Sequence, residues 1–378
     1  CKASLKSLEK LGITWYLKNN ILYIEGKSFA EWTQPGDDID AQNSGTTARL
    51  ISGLLANLPF ETQIIGDASL SKRPMARIID PLNKMGANIE SNNNHLPLKF
   101  NPVKNLHGIR YELPVASAQI KSAVLLAGLF AEGETEVVEF KTSRDHTERM
   151  LQLNTKLHED GRKSIYSSKD VKMHNLSMRI PGDFSSGAFF ICAALCLPGS
   201  ELILKNVSLN PTRTGLLSVL EKMGAEFEIN VLQEKPEPIG ELYIKSVHLH
   251  NIEIPPELVP NIIDEIPILS VLATQAHGRF LLKDAKELRV KESDRIATIV
   301  NNFRNLGIAI EEYEDGFELV GPQKIQGGKV ETQHDHRIAM AFAVVQLFTE
   351  ERIAIDHPEC ASVSFPDFYN ILDTIVEK

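Results

Sequence analysis

Four times along the chain a helix-like run ends on nearly the same phrase. Leu8-Glu-Lys-Leu-Gly-Ile-Thr-Trp15, Leu82-Asn-Lys-Met-Gly-Ala-Asn-Ile89, Leu220-Glu-Lys-Met-Gly-Ala-Glu-Phe227 and Phe303-Arg-Asn-Leu-Gly-Ile-Ala-Ile310 each read as helix end, glycine cap and strand start. Glycine suits the cap because the backbone must turn there through left-handed φ, which a Cβ disfavours. Lys or Asn standing before Leu-Gly or Met-Gly in these copies makes chance recurrence the weaker explanation. A worn copy is expected at Leu151-Gln-Leu-Asn-Thr-Lys-Leu-His-Glu-Asp-Gly161, and runs such as Ile21-Leu-Tyr-Ile-Glu25 and Gly316-Phe-Glu-Leu-Val320 predict paired strands after the caps. Each repeat is then a βαβ-type block with extra strands, roughly seventy residues long and longer than the ~20–50 residues of most solenoid repeats. The chain already opens with helical spacing at Leu5, Leu8 and Leu11, as if inside an element.

A few such blocks fill 378 residues as two domains, each large enough for its own core. The joint is expected near Arg179-Ile-Pro-Gly-Asp-Phe-Ser-Ser-Gly-Ala188, which follows a polar Lys/Ser/His-rich passage and opens an apolar helix. The expected division is 1–180 and 181–378.

Charge is concentrated where helices begin. Leu288-Arg-Val-Lys-Glu-Ser-Asp-Arg295 packs three cations and two carboxylates into eight residues ahead of an apolar helical pattern. Read as helix, Arg295 follows Lys291 by one turn, which aims both cations the same way. Asn43-Ser-Gly-Thr-Thr-Ala-Arg49 puts small residues at a helix N-terminus, where backbone N–H groups receive anions. Further polar junctions are Gly66-Asp-Ala-Ser-Leu-Ser-Lys-Arg-Pro-Met75, Val115-Ala-Ser-Ala-Gln-Ile-Lys-Ser122, Ser143-Arg-Asp-His-Thr-Glu-Arg149 and His334-Asp-His-Arg-Ile-Ala-Met340. Any one of them alone reads equally well as an ordinary cap or a solvated turn. Together, on a chain of formal charge −10, they exclude a general polyanion binder and point to small anionic ligands held locally.

No apolar run approaches the ~20 residues of a membrane span. Four scattered cysteines make no disulfide framework, and Cys192 and Cys196 read as small buried thiols, so a reducing, cytoplasmic setting is expected. His334-Asp335-His336 lacks the companions of a standard metal site, and no metal or cofactor is expected.

Taken in order, the junction motifs from Asn43 to Met340, with Ile180-Pro-Gly-Asp-Phe-Ser-Ser186 between them, closely resemble the 5-enolpyruvylshikimate-3-phosphate synthase family over nearly the whole chain. The resemblance implies the two-domain enolpyruvyl transferase fold, an inside-out α/β barrel. Each domain would hold three βαβαββ units with helices inside and sheets outside, and the two would close on the substrates. It implies transfer of the enolpyruvyl group of phosphoenolpyruvate to the 5-hydroxyl of shikimate 3-phosphate, with release of phosphate, on the route to chorismate and the aromatic amino acids. A monomer is expected, with these two anions as its partners and neither nucleic acid nor membrane among them.

The same resemblance implies the roles of residues. Asp264, in Ile262-Ile-Asp-Glu-Ile-Pro267, would take or orient the hydroxyl proton; by position alone it also reads as a helix N-cap. Glu292 would exchange a proton with the methylene carbon, and Lys291 would hold the hydroxyl or the leaving phosphate. Arg73, Arg295, His336 and Arg337, with the backbone of Gly45, would bind phosphoenolpyruvate. Ser117, Gln119 and Arg144 would bind shikimate 3-phosphate. Gly45 further implies sensitivity to glyphosate, because a Cβ there would crowd a pocket that the inhibitor shares with phosphoenolpyruvate.

Two departures from the family pattern accompany these expectations. The family's N-terminal Pro-Gly-Asp-Lys-Ser-type loop has no counterpart ahead of Cys1, and Pro181-Gly-Asp-Phe-Ser-Ser carries Phe184 where the Lys would stand. The chain is therefore read as N-terminally incomplete, and its sequence leaves open whether it is active without that segment. Val363 occupies a position where many members place a Lys. The alternatives are the sister transferase acting on UDP-N-acetylglucosamine, whose reactive Cys is absent from Gly66–Met75, and a non-catalytic anion-binding relative.

Overall fold

A computed structural model of the chain describes residues 2–19, 21–173 and 176–375. The chain divides into two compact units, Cys1–Leu176 and Ser177–Lys378.

The first unit opens with helix α1 (Lys2–Lys10) and the antiparallel hairpin β1 (Thr14–Lys18) and β2 (Ile21–Glu25). Two modules of identical order follow. One is β3 (Ile39–Asp40), α2 (Gly45–Leu55), β4 (Thr62–Ile65), α3 (Ala76–Lys84), β5 (Asn88–Asn92) and β6 (His95–Asn101). The other is β7 (Arg110–Glu112), α4 (Ala118–Gly128), β8 (Thr135–Glu139), α5 (His146–Met150), β9 (Thr155–Leu157) and β10 (Lys163–Ser167). Each pairs its first two strands in parallel and its others antiparallel, giving sheets β3-β4-β6-β5 and β7-β8-β10-β9. These are βαβαββ units.

The second unit repeats the order with its leading strands worn down. Helix α6 (Phe184–Cys196), β11 (Glu201–Ser208), α7 (Gly215–Lys222), β12 (Phe227–Gln233) and β13 (Ile239–Lys245) form sheet β11-β13-β12. Helices α8 (Val259–Ile262) and α9 (Ile266–Ala273), then β14 (Gly278–Leu282), α10 (Arg295–Asn305), β15 (Ile310–Tyr313) and β16 (Gly316–Gly321), form sheet β14-β16-β15. The strand that should lead each module survives only as isolated parallel bridges, Gly182 to Val207, His250 to His277 and Glu253 to Leu281. Pro181, Pro255 and Pro256 flank these bridges, and a residue without an N–H cannot extend the ladder. The unit closes with β17 (Gly328–Val330), α11 (His336–Val345), β18 (Ile353–Ile355), parallel to β17, and α12 (Phe368–Ile375).

The repeated phrase is a Schellman cap in every clear copy. The glycines carry positive φ of 87° at Gly12, 99° at Gly86, 96° at Gly224 and 78° at Gly307. Each donates to the carbonyl three residues back, while the next N–H reaches five back, as in Ile13 N to Leu8 O at 3.1 Å and Ile308 N to Phe303 O at 2.9 Å. The worn copy lies elsewhere than expected. Helix α5 is capped by Gln152 at φ 50°, with Leu153 N reaching Glu148 O at 2.9 Å, whereas Gly161 turns the loop from β9 to β10. The cap chemistry is intact there, but its residue is not glycine.

Helices form the inner layer of each unit. All eight residues of α9 are buried, as are Ile338–Val345 of α11 and Ile120–Leu125 of α4. Strands bury one face, with alternation clear in β6 and β13. In the first unit α2 and α4 pack backbone to backbone: a Cβ added at Gly53 would lie 2.2 Å from Ala123 O. Glycine is required there by the close approach.

Candidate active site

The helices that pack inward also begin at the polar motifs, so their N-termini carry the candidate residues of both units. In the first unit Ser44 caps α2, its hydroxyl accepting from Thr47 N at 3.1 Å, and this leaves Gly45 buried at the first helical position. A Cβ on Gly45 would lie 2.7 Å from Arg49 Nη1 and 3.3 Å from Arg73 Nη1, so two guanidinium groups flank this glycine. Arg49 Nη1 donates to Gln119 Oε1 at 2.9 Å, and Gln119 Nε2 donates to Thr46 Oγ1 at 3.0 Å, which joins the starts of α2 and α4. Ser117 caps α4, accepting from Ile120 N at 3.5 Å.

Arg144 sits in the loop from β8 to α5, half-buried, and its neighbours on both sides are tied to α4. Ser143 donates through N and Oγ to Glu139 Oε2 at 3.2 and 2.8 Å, and Thr147 meets Ser122 at 2.6 Å between hydroxyls. Beneath this loop Lys121, wholly buried, donates to Glu139 at 3.1 Å, Glu148 at 2.8 Å and Ser143 O at 3.4 Å. Sequence reading assigned Lys121 no role. The available signal was a single cation inside Ile-Lys-Ser-Ala-Val-Leu-Leu-Ala, which is apolar on every face and so leaves that lysine no route to water.

In the second unit the candidates converge on Arg295, which is 1% exposed. Its Nη2 donates to Glu292 Oε2 at 2.6 Å, its Nε to Asp335 Oδ2 at 2.8 Å, and its Nη1 stands 3.5 Å from Asp264 Oδ1. Nη1 makes no hydrogen bond among the described residues, leaving a buried donor for a ligand oxygen. Arg337 approaches from the start of α11, Nη1 donating to Asp264 O at 3.1 Å and Nη2 standing 3.8 Å from Asp264 Oδ2. Asp335 caps α11, accepts from Arg337 N at 2.9 Å and from Ser293 Oγ at 3.1 Å, and so links the Lys291–Arg295 segment to the His336–Arg337 turn.

Two local expectations are corrected. Lys291 and Arg295 do not share a helical turn: a 3₁₀ turn ends at Val290, Lys291–Ser293 bend freely of helix, and α10 begins only at Arg295. The cause is Asp294, whose carboxylate accepts from Ala297 N at 3.0 Å and thereby starts the helix there. Nor is Asp264 a helix cap, since the residue before α9 is Glu265.

The electrostatics follow from burial. Burial lowers the Lys291 ammonium below the ordinary lysine range, with Arg295 adding to the effect against the attraction of Asp264. Burial also drives the His336 imidazole down to about 4, reinforced by Arg337, so the ring is neutral near pH 7. Burial works against ionising Asp335, yet Arg295 holds its carboxyl below the usual range. Burial and then the neighbouring Asp264 push Glu265 up. Each half therefore presents cations near helix starts, and in the second Glu292, Asp335 and Asp264 all stand within 3.5 Å of one guanidinium.

The family model described as EPSP synthase (3-phosphoshikimate 1-carboxyvinyltransferase) matches residues 1–372. The 3-phosphoshikimate 1-carboxyvinyltransferase of Petrotoga mobilis is 46% identical over 93% of this chain and 83% of its own length. That of Bacillus subtilis is 44% identical over 100% of this chain and 89% of its own. The solved EPSP synthase of Acinetobacter baumannii superposes with a TM-score of 0.86 at 39% identity, over 99% of this chain and 86% of that one. The enolpyruvyl transferase NikO of Streptomyces tendae, with a TM-score of 0.75 at 13% identity over 99% and 86%, shares the fold.

Proposed function

The chain belongs to the EPSP synthase family, and from that premise we propose that Asp264, Lys291 and Glu292 perform the proton transfers of its reaction. That reaction moves the enolpyruvyl group of phosphoenolpyruvate to shikimate 3-phosphate in aromatic amino acid biosynthesis.

The step needs a base and an acid close together. As the 5-hydroxyl adds to C2, Asp264 takes its proton while Glu292 delivers one to the methylene carbon. In the resulting tetrahedral intermediate the C–O bond to phosphate breaks, the departing phosphate takes up the proton held by Asp264, and Glu292 recovers a proton from the new methyl group as the double bond re-forms. Lys291, whose ammonium is unusually ready to give up its proton, faces the hydroxyl or the departing phosphate. Arg73, Arg295, His336, Arg337 and the Gly45 backbone hold phosphoenolpyruvate, since planar guanidinium groups grip carboxylate and phosphate oxygens in pairs. Ser117, Gln119 and Arg144 hold shikimate 3-phosphate.

One observation carries this reading: Arg295 stands 2.6 Å from Glu292 and 3.5 Å from Asp264. The proposed acid and base thus flank one buried anion-binding donor. We place the protein in the cytoplasm as a monomer. Its described free thiols at Cys192, Cys196 and Cys360 suit a reducing setting.

Phosphate release from phosphoenolpyruvate by the full-length protein tests it. Release should require shikimate 3-phosphate and fall about 10²-fold or more in Glu292→Gln and in Asp264→Asn, with shikimate 3-phosphate binding retained. A near-wild-type rate in either variant removes that residue from the chemistry.

A further inference from the structure

The segment that carries Lys291 and Glu292 lies outside any helix or strand, yet its two ends are held by a single side chain. Arg289, in the 3₁₀ turn Lys286–Val290, donates through Nη1 to both oxygens of Asp294, at 3.1 and 2.8 Å. Asp294 is the residue that starts α10. Arg289 and Asp294 thus close a ring whose arc is Val290, Lys291, Glu292 and Ser293. The rest of the guanidinium reaches the turn between β15 and β16. Nε donates to Glu314 O at 2.6 Å, and Nη2 donates to Tyr313 O at 2.6 Å and Glu312 Oε1 at 3.0 Å. One planar group therefore fastens the arc to two regular elements, and it does so half-buried, where the bonds are partly shielded from water.

We propose that Arg289 is a positioning residue for the proton-transfer step, holding the arc in the geometry that presents Lys291 and Glu292. The inference rests on the role assigned above to Glu292. It touches no substrate. Its effect is on where the acid and the ammonium stand, and displacement by about 1 Å in such a group can cost on the order of 10²-fold in rate. Lysine cannot replace it, because an ammonium that meets Asp294 lacks the three-nitrogen span to reach Glu312, Tyr313 and Glu314 at the same time.

The experiment is a kinetic cycle on the full-length protein with Arg289→Lys, Arg289→Gln, Glu292→Gln and Arg289→Gln/Glu292→Gln. Each is assayed for kcat, for KM of both substrates and for shikimate 3-phosphate affinity by calorimetry, with backbone hydrogen exchange followed over residues 290–294. Both single Arg289 variants should lose about 10-fold to 10²-fold in kcat and keep shikimate 3-phosphate affinity, while exchange over 290–294 accelerates. The double variant should fall well short of the product of the two single losses, because with Glu292 neutralised only Lys291 is left for the arc to position. Wild-type kcat in Arg289→Lys, or losses that multiply in the double variant, would overturn the inference and leave Glu292 in place. A Glu292→Gln protein that turns over normally would instead sink the role of Glu292, and the inference with it.

Discussion

Arg295 and Asp335, 40 residues apart in sequence, share two hydrogen bonds, Nε to Oδ2 at 2.8 Å and Nη2 to Oδ1 at 3.3 Å, with both side chains shut off from water. The pair joins the first residue of α10 to the cap of α11, and every other candidate group of the second unit is reached from one of those two helix starts or touches Arg295 directly. Removing one partner of a buried ion pair leaves the other charge uncompensated. Asp335→Ala should lower the unfolding free energy by about 3–5 kcal/mol, read as a shift of the urea midpoint. A loss below about 1 kcal/mol would mean that Glu292 and Asp264 can compensate Arg295 without it.

Lys121 makes the corresponding prediction for the first unit. Glu139 and Glu148 are both buried and both depend on this ammonium; Lys163 also approaches Glu148, at 3.4 Å. Lys121→Met keeps the stem and removes the charge, leaving the buried Glu139 with the Ser143 donors and Glu148 with the more distant Lys163. The variant should lose about 3 kcal/mol or more of stability. Because Ser143 hangs from Glu139 and Lys121, shikimate 3-phosphate affinity should fall with it. Unchanged affinity in a folded variant would show that Arg144 does not rely on this support.

At Gly45 the neighbours of an added Cβ are the ends of two arginines, not backbone. Such ends can swing aside, so Gly45→Ala should fold normally while displacing the guanidinium groups. The expected result is a KM for phosphoenolpyruvate raised about 10-fold with kcat little changed, because the interaction lost is one made in ground and transition state alike. Glyphosate should weaken in parallel. A rise in KM for shikimate 3-phosphate alone would place Gly45 against the other substrate.

His336 predicts a pH dependence whose sign is opposite to that of a histidine gaining a partner. Its imidazole stays neutral down to about 4 in the folded chain, whereas the unfolded chain's takes a proton near 6.5. Between those values the unfolded state binds more protons, so this residue's contribution to stability falls as pH drops from 6.5 to about 4 and is level above 6.5. His336→Asn should flatten that part of the curve in urea unfolding at graded pH. A slope identical to wild type would assign the dependence to other groups.

Gln152 holds a backbone conformation, φ 50°, that the other four caps give to glycine. A non-glycine residue in left-handed backbone bears roughly 1–2 kcal/mol, partly offset by the greater freedom of glycine in the unfolded chain. Since Gln152 is exposed, Gln152→Gly should raise stability by about 0.5–1 kcal/mol, visible as a higher urea midpoint with an unchanged slope.

What could be read in advance divides along the range of the forces involved. The four glycine caps and the helix starts at Ser44, Ser117 and Asp335 are local chemistry, decided within five or six residues, and sequence displays them. Asp294 shows the limit of that reading: the charges in Leu288–Arg295 were visible, but which of two carboxylates captures the helix start was not, so the spacing of Lys291 and Arg295 was misread. The Gln152 cap was missed because the turn kept its hydrogen bonds and lost its marker residue. Asp335 as the hub of the second unit, and Lys121 as the support of Ser143, depend on partners 18 to 42 residues away. No periodicity encodes such distances. The shrinkage of the second unit's leading strands to bridges was written in Pro181, Pro255 and Pro256, whose missing donors matter only once the neighbouring strand is known.

The contact of Gly53 with Ala123 has a consequence for how selectivity in this protein can drift. Helices α2 and α4 touch there backbone to backbone, and eight residues of helix, about 12 Å, separate that fulcrum from Gly45. A side chain introduced at Gly53 would pry the two rods apart and change the gap bridged by Arg49 and Gln119 without altering a single ligand-facing atom. Screens for altered inhibitor tolerance that saturate only the lining of the site would pass over such a lever, whereas random mutagenesis of the whole helix pair would find it.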